Sequence, residues 1–335
     1  MFPSVSRNLS DGSASCQLNI ESPEVVGRRV RYVCIPGSPY TGSTLLGTIL
    51  DEHPQCASIG AAIGLLPTAN LATYRCSCGK LFRDCEFWND IAARTRALGH
   101  PVNVFRTNFW KTHLRLSQNN LINAMLVRSL KWDPLNRLRD TVVLSSPKIR
   151  AAISETGWAS WSLATAVLEK TGKSVFVDTA RDHQRPKYLA MHPALDIRVI
   201  HLVRDPRGNA ASIMKHTGAD AAKAARQWRH YNVEAARVRR YLPPESWMSL
   251  HYEDLCADTP GVLARISDFL HIRPPKRESG AAEVQSHIIG NKRRLEGRPQ
   301  IREDRSWQTR LSSADLARIA RIVGSTSHSL GFSWP

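Results

Sequence analysis

Along this chain short apolar runs alternate with stretches whose apolar residues recur every three or four positions. The first run, Tyr32-Val33-Cys34-Ile35, stops at Pro36. A polar loop from Gly37 to Gly42 follows, after which Leu45, Leu46, Ile49 and Leu50 fall on one side of a helix. Cys56 to Ile59 reads as a short strand. Thr141 to Leu144 is a second short strand candidate, and Trp158 to Lys170 is a helix that Gly172 ends. Ser174 to Val177 and Asp196 to Val203 are buried strands, the latter followed by a helix opening near Asn209. A long helix runs from Asp220 to Tyr241, then a strand from Trp247 to Leu250 and an amphipathic helix from Val262 to Leu270. Trp307 to Leu311 and a helix from Ser313 to Val323 close the chain.

Strands alternating with helices predict a three-layer α/β fold: a mainly parallel central sheet with helices on both faces. Ligands in such folds bind beyond the carboxyl ends of the strands. No internal repeat is visible. The Ser-rich opening, residues 1–28, reads as a mobile tail, and residues 29–335 as one domain. That domain carries an irregular, mainly helical insertion at about 74–140, with Phe87-Trp88, Phe109-Trp110, His113 and Trp132. Insertions of this kind commonly form the acceptor side of a pocket.

Strand, glycine-rich turn and helix start make a phosphate cradle, because backbone N–H groups converge on an anion and the helix dipole favours negative charge. Gly37-x4-Gly42-Ser43-Thr44 nearly matches the nucleotide-triphosphate loop G-x4-G-K-[ST]. Ser43 stands in the lysine position, which argues against ordinary ATP or GTP chemistry. A second anion site is suggested after the Asp196–Val203 strand. There Arg204-Asp205-Pro206-Arg207-Gly208 leads into a helix carrying Ser212. An arginine at a strand tip and a serine in the next helix's first turns can hold a phosphate together.

These two segments resemble those of the sulfotransferases that use 3′-phosphoadenosine 5′-phosphosulfate (PAPS), and look closest to the bacterial and carbohydrate-type branch. The resemblance implies the P-loop-like nucleotide fold and sulfuryl transfer to a hydroxyl or amine of a carbohydrate, glycolipid or other small acceptor. It implies that Ser38, Tyr40, Thr41, Gly42, Ser43 and Thr44 hold the 5′ end and that Arg204 and Ser212 hold the 3′-phosphate. Tyr252, in "YEDL", lies near the adenine in such proteins, and Gly331-Phe332 resembles their terminal "LGY". The basic segment from His287 to Arg294 corresponds to a loop that closes over the nucleotide, here through Asn291, Arg293 and Arg294. Arg181 takes the place of a lysine near the phosphosulfate. Asp178, Asp182 and His183, at the tip of the Ser174–Val177 strand, form the shortlist for a general base. Two departures stand out. Tyr40 occupies a position where relatives carry Lys or Arg, and Ala61 and Ala62 occupy the region where many carry a Glu. No metal is expected for the reaction.

Composition adds bounds. In 335 residues, Lys and Arg number 46 and Asp and Glu 29, a net charge of +17 that favours an anionic partner. One nucleotide does not need seventeen charges, so part of the excess is general basic surface. Apolar runs fall short of the ~20 residues of a membrane span, and no secretory signal is visible. A cytoplasmic chain is expected, with peripheral membrane contact possible. Of seven cysteines, three cluster as Cys76, Cys78 and Cys85. They suit three ligands of a zinc site without an obvious fourth, or a disulfide, or packing in an irregular loop. Three rivals remain: a P-loop kinase or NTPase, a basic nucleic-acid-binding protein whose aromatics stack on bases, and a degenerate sulfotransferase that binds PAPS without turnover, to which Tyr40 and Ala61 lend weight. The second lacks a recognisable binding motif, and no nucleic-acid partner is expected.

Overall fold

The computed structural model describes residues 29–64, 69–106, 112, 123, 133–275, 286–290, 295 and 301–334. The expected tail, Phe109, Trp110, His113, Trp132, Asn291, Arg293 and Arg294 lie outside the described residues. Five strands, β1 (Val30–Cys34), β2 (Cys56–Ser58), β3 (Val175–Asp178), β4 (Leu195–Val203) and β5 (Trp247–His251), form one sheet in the order β2-β3-β1-β4-β5. Every pairing is parallel. β1 is central, with Cys34 opposite Asp178 on one side and Val199 on the other.

The strands read as apolar runs because both faces are covered. Tyr32, Cys34, Phe176, Leu195, Ile197 and Val199 face one layer. That layer contains α2 (Glu86–Ala97) and α4 (Pro147–Thr171). Val33, Ile35, Val177, Ile200 and Leu202 face the other, against α1 (Ser43–Asp51), α8 (Tyr252–Ala257) and α9 (Thr259–Leu270). A third apolar cluster joins α6 (Pro206–Thr217), α7 (Ala221–Arg239), α10 (Trp307–Arg310) and α11 (Ser313–Ser329) beyond β4. Trp228 of α7 is fully buried there, as a core residue. Among the described residues no helix is long and apolar enough to cross a membrane.

Local chemistry sets the boundaries. Pro206 and Pro147 occupy first turns, where a missing N–H costs nothing. Asp205, Asp220 and Asp258 cap α6, α7 and α9 with side-chain oxygens. Ser312 and Asp315 form a reciprocal capping box on α11. The expected strand at Thr141–Leu144 is instead part of a helix, α3 (Asp133–Ser145), with Val143 buried and Val142 exposed. α4 also begins eleven residues before the expected Trp158, running through Gly157. A Cβ on Gly157 would sit 2.3 Å from the His192 ring, so glycine serves close packing there and does not end the helix. The short α5 (Arg185–Leu189) follows β3.

Candidate active site

Because all five strands are parallel, the segments after β1, β3, β4 and β5 leave the sheet at the same, carboxyl edge. The loop after β1 is held from below. Buried Ser38 donates its hydroxyl to Asn209 Oδ1 at 3.0 Å, and Asn209 Nδ2 donates to the Pro39 carbonyl at 2.8 Å. Thr41, also buried, turns its hydroxyl to the Ser38 carbonyl. Gly42 precedes α1 with φ 104°, and a Cβ there would lie 2.7 Å from the Tyr252 ring. Both the left-handed backbone and the contact demand glycine. No side chain caps α1, and no acid stands in its first turn. The first N–H groups of α1, at Ser43 and Thr44 among others, thus lack intrahelical acceptors, which makes the helix end an anion acceptor. Tyr40, at φ 63°, stacks on His216 with ring centroids 4.9 Å apart and 12° between planes.

Arg204 at the tip of β4 joins this loop directly. It is only 6% exposed, and its Nη1 donates to the Tyr40 carbonyl at 3.0 Å and to Ser212 Oγ at 3.1 Å. Nη2 donates to the Asp304 carbonyl at 3.2 Å, with the Asp304 carboxylate 3.6 Å away. Burial pushes the Asp304 carboxyl up, but hydrogen bonds from Ser306 and the Arg204 charge outweigh it and hold the group below its usual value. The guanidinium lies 4.7 Å from the Tyr252 ring centroid. Tyr252 is therefore wedged between Gly42 and Arg204, and it donates its hydroxyl to the Arg302 carbonyl at 3.1 Å. Burial raises its phenol well above the ordinary value. The residue after Arg204 is fixed too: Glu253 accepts from the Asp205 N–H at 2.9 Å, and Trp228 donates to the Arg204 carbonyl at 2.9 Å.

The tip of β3 separates the shortlist. Asp178 is 1% exposed, and its two oxygens accept from four donors. These are Tyr32 Oη at 2.8 Å, Arg185 Nε at 3.1 Å, and the N–H groups of Ala62 at 2.9 Å and Ala180 at 2.8 Å. Burial lowers the Arg185 pKa, but Tyr32 and Asp178 more than offset it and hold it above its ordinary value. Asp182 Oδ1 accepts from the Gln184 and Arg185 N–H groups at 3.0 and 3.2 Å, opening α5. His183 faces α7, its Nε2 3.8 Å from Glu234 Oε2, with His230 and Tyr231 edge-on. Glu234 is buried and accepts from Gln184 Nε2 at 3.0 Å and Arg237 Nη1 at 2.6 Å. Arg181 is exposed, and among the described residues it makes no hydrogen bond.

Several participants had no signal in the sequence. Asn209, Glu234, Arg185 and Asp304 act through partners far away in the chain. Only Asn209 offered a hint, as a polar residue one turn before Ser212. Ala62 follows β2 and contributes its N–H to Asp178. The three clustered cysteines gather around His287, a residue the sequence assigned to the basic nucleotide segment.

A sequence profile described as the sulfotransferase family matches residues 33–275. Comparison with curated protein sequences gave no match. Among solved structures, the sulfotransferase domain from the curacin biosynthetic pathway is similar, at 18% identity and a TM-score of 0.46, over 92% of this chain and 100% of that one. Sulfotransferase STF9 from Mycobacterium avium follows at 17% and 0.44, over 91% of this chain and 78% of its own. Retinol dehydratase, solved with androsterone and inactive cofactor PAP, is similar at 13% and 0.38, over 93% and 85%. With most of its sheet, the loop after β1 and the Arg204–Ser212 segment inside the matched span, the chain belongs to the sulfotransferase family.

Proposed function

We propose that the enzyme transfers a sulfuryl group from PAPS to a hydroxyl or amine of a carbohydrate, glycolipid or other small acceptor. The observation that carries this reading is the direct contact between two anion-competent places: the uncapped start of α1 and the Arg204–Ser212 pair, joined through the Tyr40 carbonyl. A nucleotide with phosphate at both its 5′ and 3′ positions suits that pair better than one with a single polyphosphate tail. When bound, it supplies an activated sulfuryl group on a phosphate leaving group.

The chain's own residues then have separable tasks. Ser38, Thr41, Gly42, Ser43 and Thr44 shape the cradle that takes the 5′ end, and its N–H donors stabilise negative charge there. Arg204 and Ser212 take the 3′-phosphate, with Tyr252 backing the guanidinium, and Asn291, Arg293 and Arg294 of the basic segment are assigned to the same phosphate as hydrogen-bond donors. Arg181, exposed at the β3 tip, neutralises charge near the transferred group. Asp178 has all its acceptor positions occupied within the protein, so the proton of the acceptor goes to His183 or Asp182. His183 is favoured because imidazole is the commonest general base and its Nε2 lies 3.8 Å from the buried Glu234 carboxylate. Kinase chemistry is disfavoured because Ser43 offers no cation to reach a γ-phosphate.

The test is incubation with sulfur-labelled PAPS and a panel of glycans, lipids and phenols. Label should pass to at least one acceptor without magnesium. Magnesium-dependent ATP cleavage, with no label transferred to any acceptor, would reverse the assignment.

A further inference from the structure

The insertion that begins after β2 folds back on itself at its start. Arg75 and Leu81 form an antiparallel bridge, and Cys76 N–H donates to the Lys80 carbonyl at 3.0 Å. Gly79, at φ 85°, returns its N–H to the Cys76 carbonyl at 3.0 Å. This tight knuckle presents Cys76 and Cys78 on one side, and Cys85 follows at the start of α2. Segment 286–290 then comes in from more than two hundred residues away and places His287 against all three. Cys76 Sγ and Cys85 Sγ lie 3.6 and 3.4 Å from His287 Nδ1, and Cys78 Sγ lies 3.7 Å from Cys85 Sγ. All four ligand atoms fall within 4.8 Å of one another.

Those separations decide between chemistries. A disulfide needs sulfurs about 2.05 Å apart, and Cys76, Cys78 and Cys85 are all free thiols. A tetrahedral ion with Zn–S near 2.3 Å and Zn–N near 2.0–2.1 Å places its ligand atoms roughly 3.8 Å apart for two sulfurs and roughly 3.6 Å for sulfur and nitrogen. The observed 3.7, 3.6 and 3.4 Å match that geometry. We propose that Cys76, Cys78, Cys85 and His287 form a closed Cys3His site for a structural zinc ion. Three thiolates select a soft or borderline metal over magnesium or calcium, and four protein ligands leave no position open for substrate.

The surroundings are arranged to hold these ligands in place. Phe87 stacks flat on the His287 ring, centroids 4.3 Å apart and 1° between planes, fixing the direction of Nδ1. Ser77 brackets the histidine: its hydroxyl donates to the Ser286 carbonyl at 2.5 Å and accepts from the Ile288 N–H at 2.8 Å. Tyr74 Oη accepts from the Gly290 N–H at 2.9 Å. Ile289 N–H donates to the Ile59 carbonyl at 2.9 Å, tying the same segment to the end of β2. The ion thus fastens the insertion to the sheet edge and to the chain that leads into Asn291–Arg294.

The experiment uses the full-length enzyme purified with reductant from zinc-supplemented cells. Elemental analysis should find one zinc per chain, and exchange for cobalt should give the thiolate charge-transfer and tetrahedral d–d absorption of a Cys3His centre. Cys78→Ser and His287→Ala should bind cobalt at least ~10–100-fold more weakly, since loss of even an outer-shell partner costs that much. Cys256→Ser should keep the wild-type metal content. Should the ligand variants fail to fold, the zinc stoichiometry and cobalt spectrum of the wild type still decide. Wild-type protein with neither zinc nor a cobalt charge-transfer band would overturn the site. So would wild-type affinity in both ligand variants, or a native Cys78–Cys85 disulfide in non-reducing peptide mapping.

Discussion

The proposed 3′-phosphate site predicts that the wild type prefers adenosine 3′,5′-bisphosphate to ADP and that Arg204→Ala loses this preference. The guanidinium is buried, is oriented by the Tyr40 carbonyl and Ser212 Oγ, and lies over Tyr252. Its direction is therefore set before any ligand arrives, and little side-chain entropy remains to be lost on binding. A hydrogen bond to a charged group contributes about 1.5–3 kcal/mol. Since ~1.4 kcal/mol is tenfold in affinity, one such bond is worth roughly ten- to a hundredfold. The bisphosphate should weaken by at least that factor, while ADP, held by the untouched loop after β1, should change little. Ser212→Ala removes a neutral partner worth about 1 kcal/mol and should cost the bisphosphate roughly fivefold. Calorimetry of both ligands on wild type and both variants measures the ratio, and a melting curve shows that each variant is folded. An unchanged ratio of bisphosphate to ADP affinity in folded Arg204→Ala would refute the assignment of the 3′-phosphate to this residue.

Four further outcomes are expected. Arg181→Ala should lower kcat for sulfuryl transfer more than it raises KM for PAPS, because its contact forms mainly in the transition state; the reverse split in steady-state kinetics would make it a binding residue. His183→Gln should slow turnover by about 10²-fold or more, and Glu234→Gln should shift the acid limb of the pH–rate profile; wild-type profiles for both would remove the pair from proton transfer. Gly42→Ala should destabilise the fold by about 1–3 kcal/mol, and more than Gly172→Ala, where φ is also positive (68°) but no atom lies within 4 Å of the new Cβ; equal losses in urea titrations would mean that the Tyr252 contact is unimportant. His192 and His201 are buried, and burial lowers both from 6.5 to about 4. The unfolded chain therefore binds more protons between those values, and stability should fall as pH drops from 6.5 toward 4, by up to ~3 kcal/mol per histidine. Denaturation midpoints that stay flat over that range would contradict this.

The strands were legible because buried parallel strands are written as apolar runs between glycine, proline and polar residues. At their tips, glycine spacing suggested an anion cradle after β1 and an arginine followed by a serine suggested a second after β4, while the roles given to Arg204 and Ser212 came from the resemblance to sulfotransferases. Thr141–Leu144 misled because three consecutive apolar residues fit a strand or a helix turn equally well, and only the packing of Val143 settles it. The expected start of α4 at Trp158 was eleven residues late, and the packing of Gly157 against the His192 ring, 35 residues on, is not visible in local sequence. The role of Asp178 depends on Tyr32, 146 residues before it, and Arg185. His287 meets Cys85 across 202 residues. Nothing in local pattern encodes such meetings; the sheet order creates them.

That sheet order also has a cost in time. Of the five described strands β1 is synthesised first but sits in the middle, between β3 and β4. Arg31 and Asp196, paired across β1 and β4, are 165 residues apart. At about 5–20 residues per second, a ribosome takes roughly 8 to 33 seconds to make the second partner. Until Asp178, 144 residues after its partner Cys34, the nascent Val30–Cys34 strand has two open hydrogen-bonding edges; until β4 follows it keeps one, with apolar side chains on both faces. Yield of folded enzyme in a cell-free translation system should therefore rise with holdase chaperone and respond to elongation rate, even where the finished protein is stable.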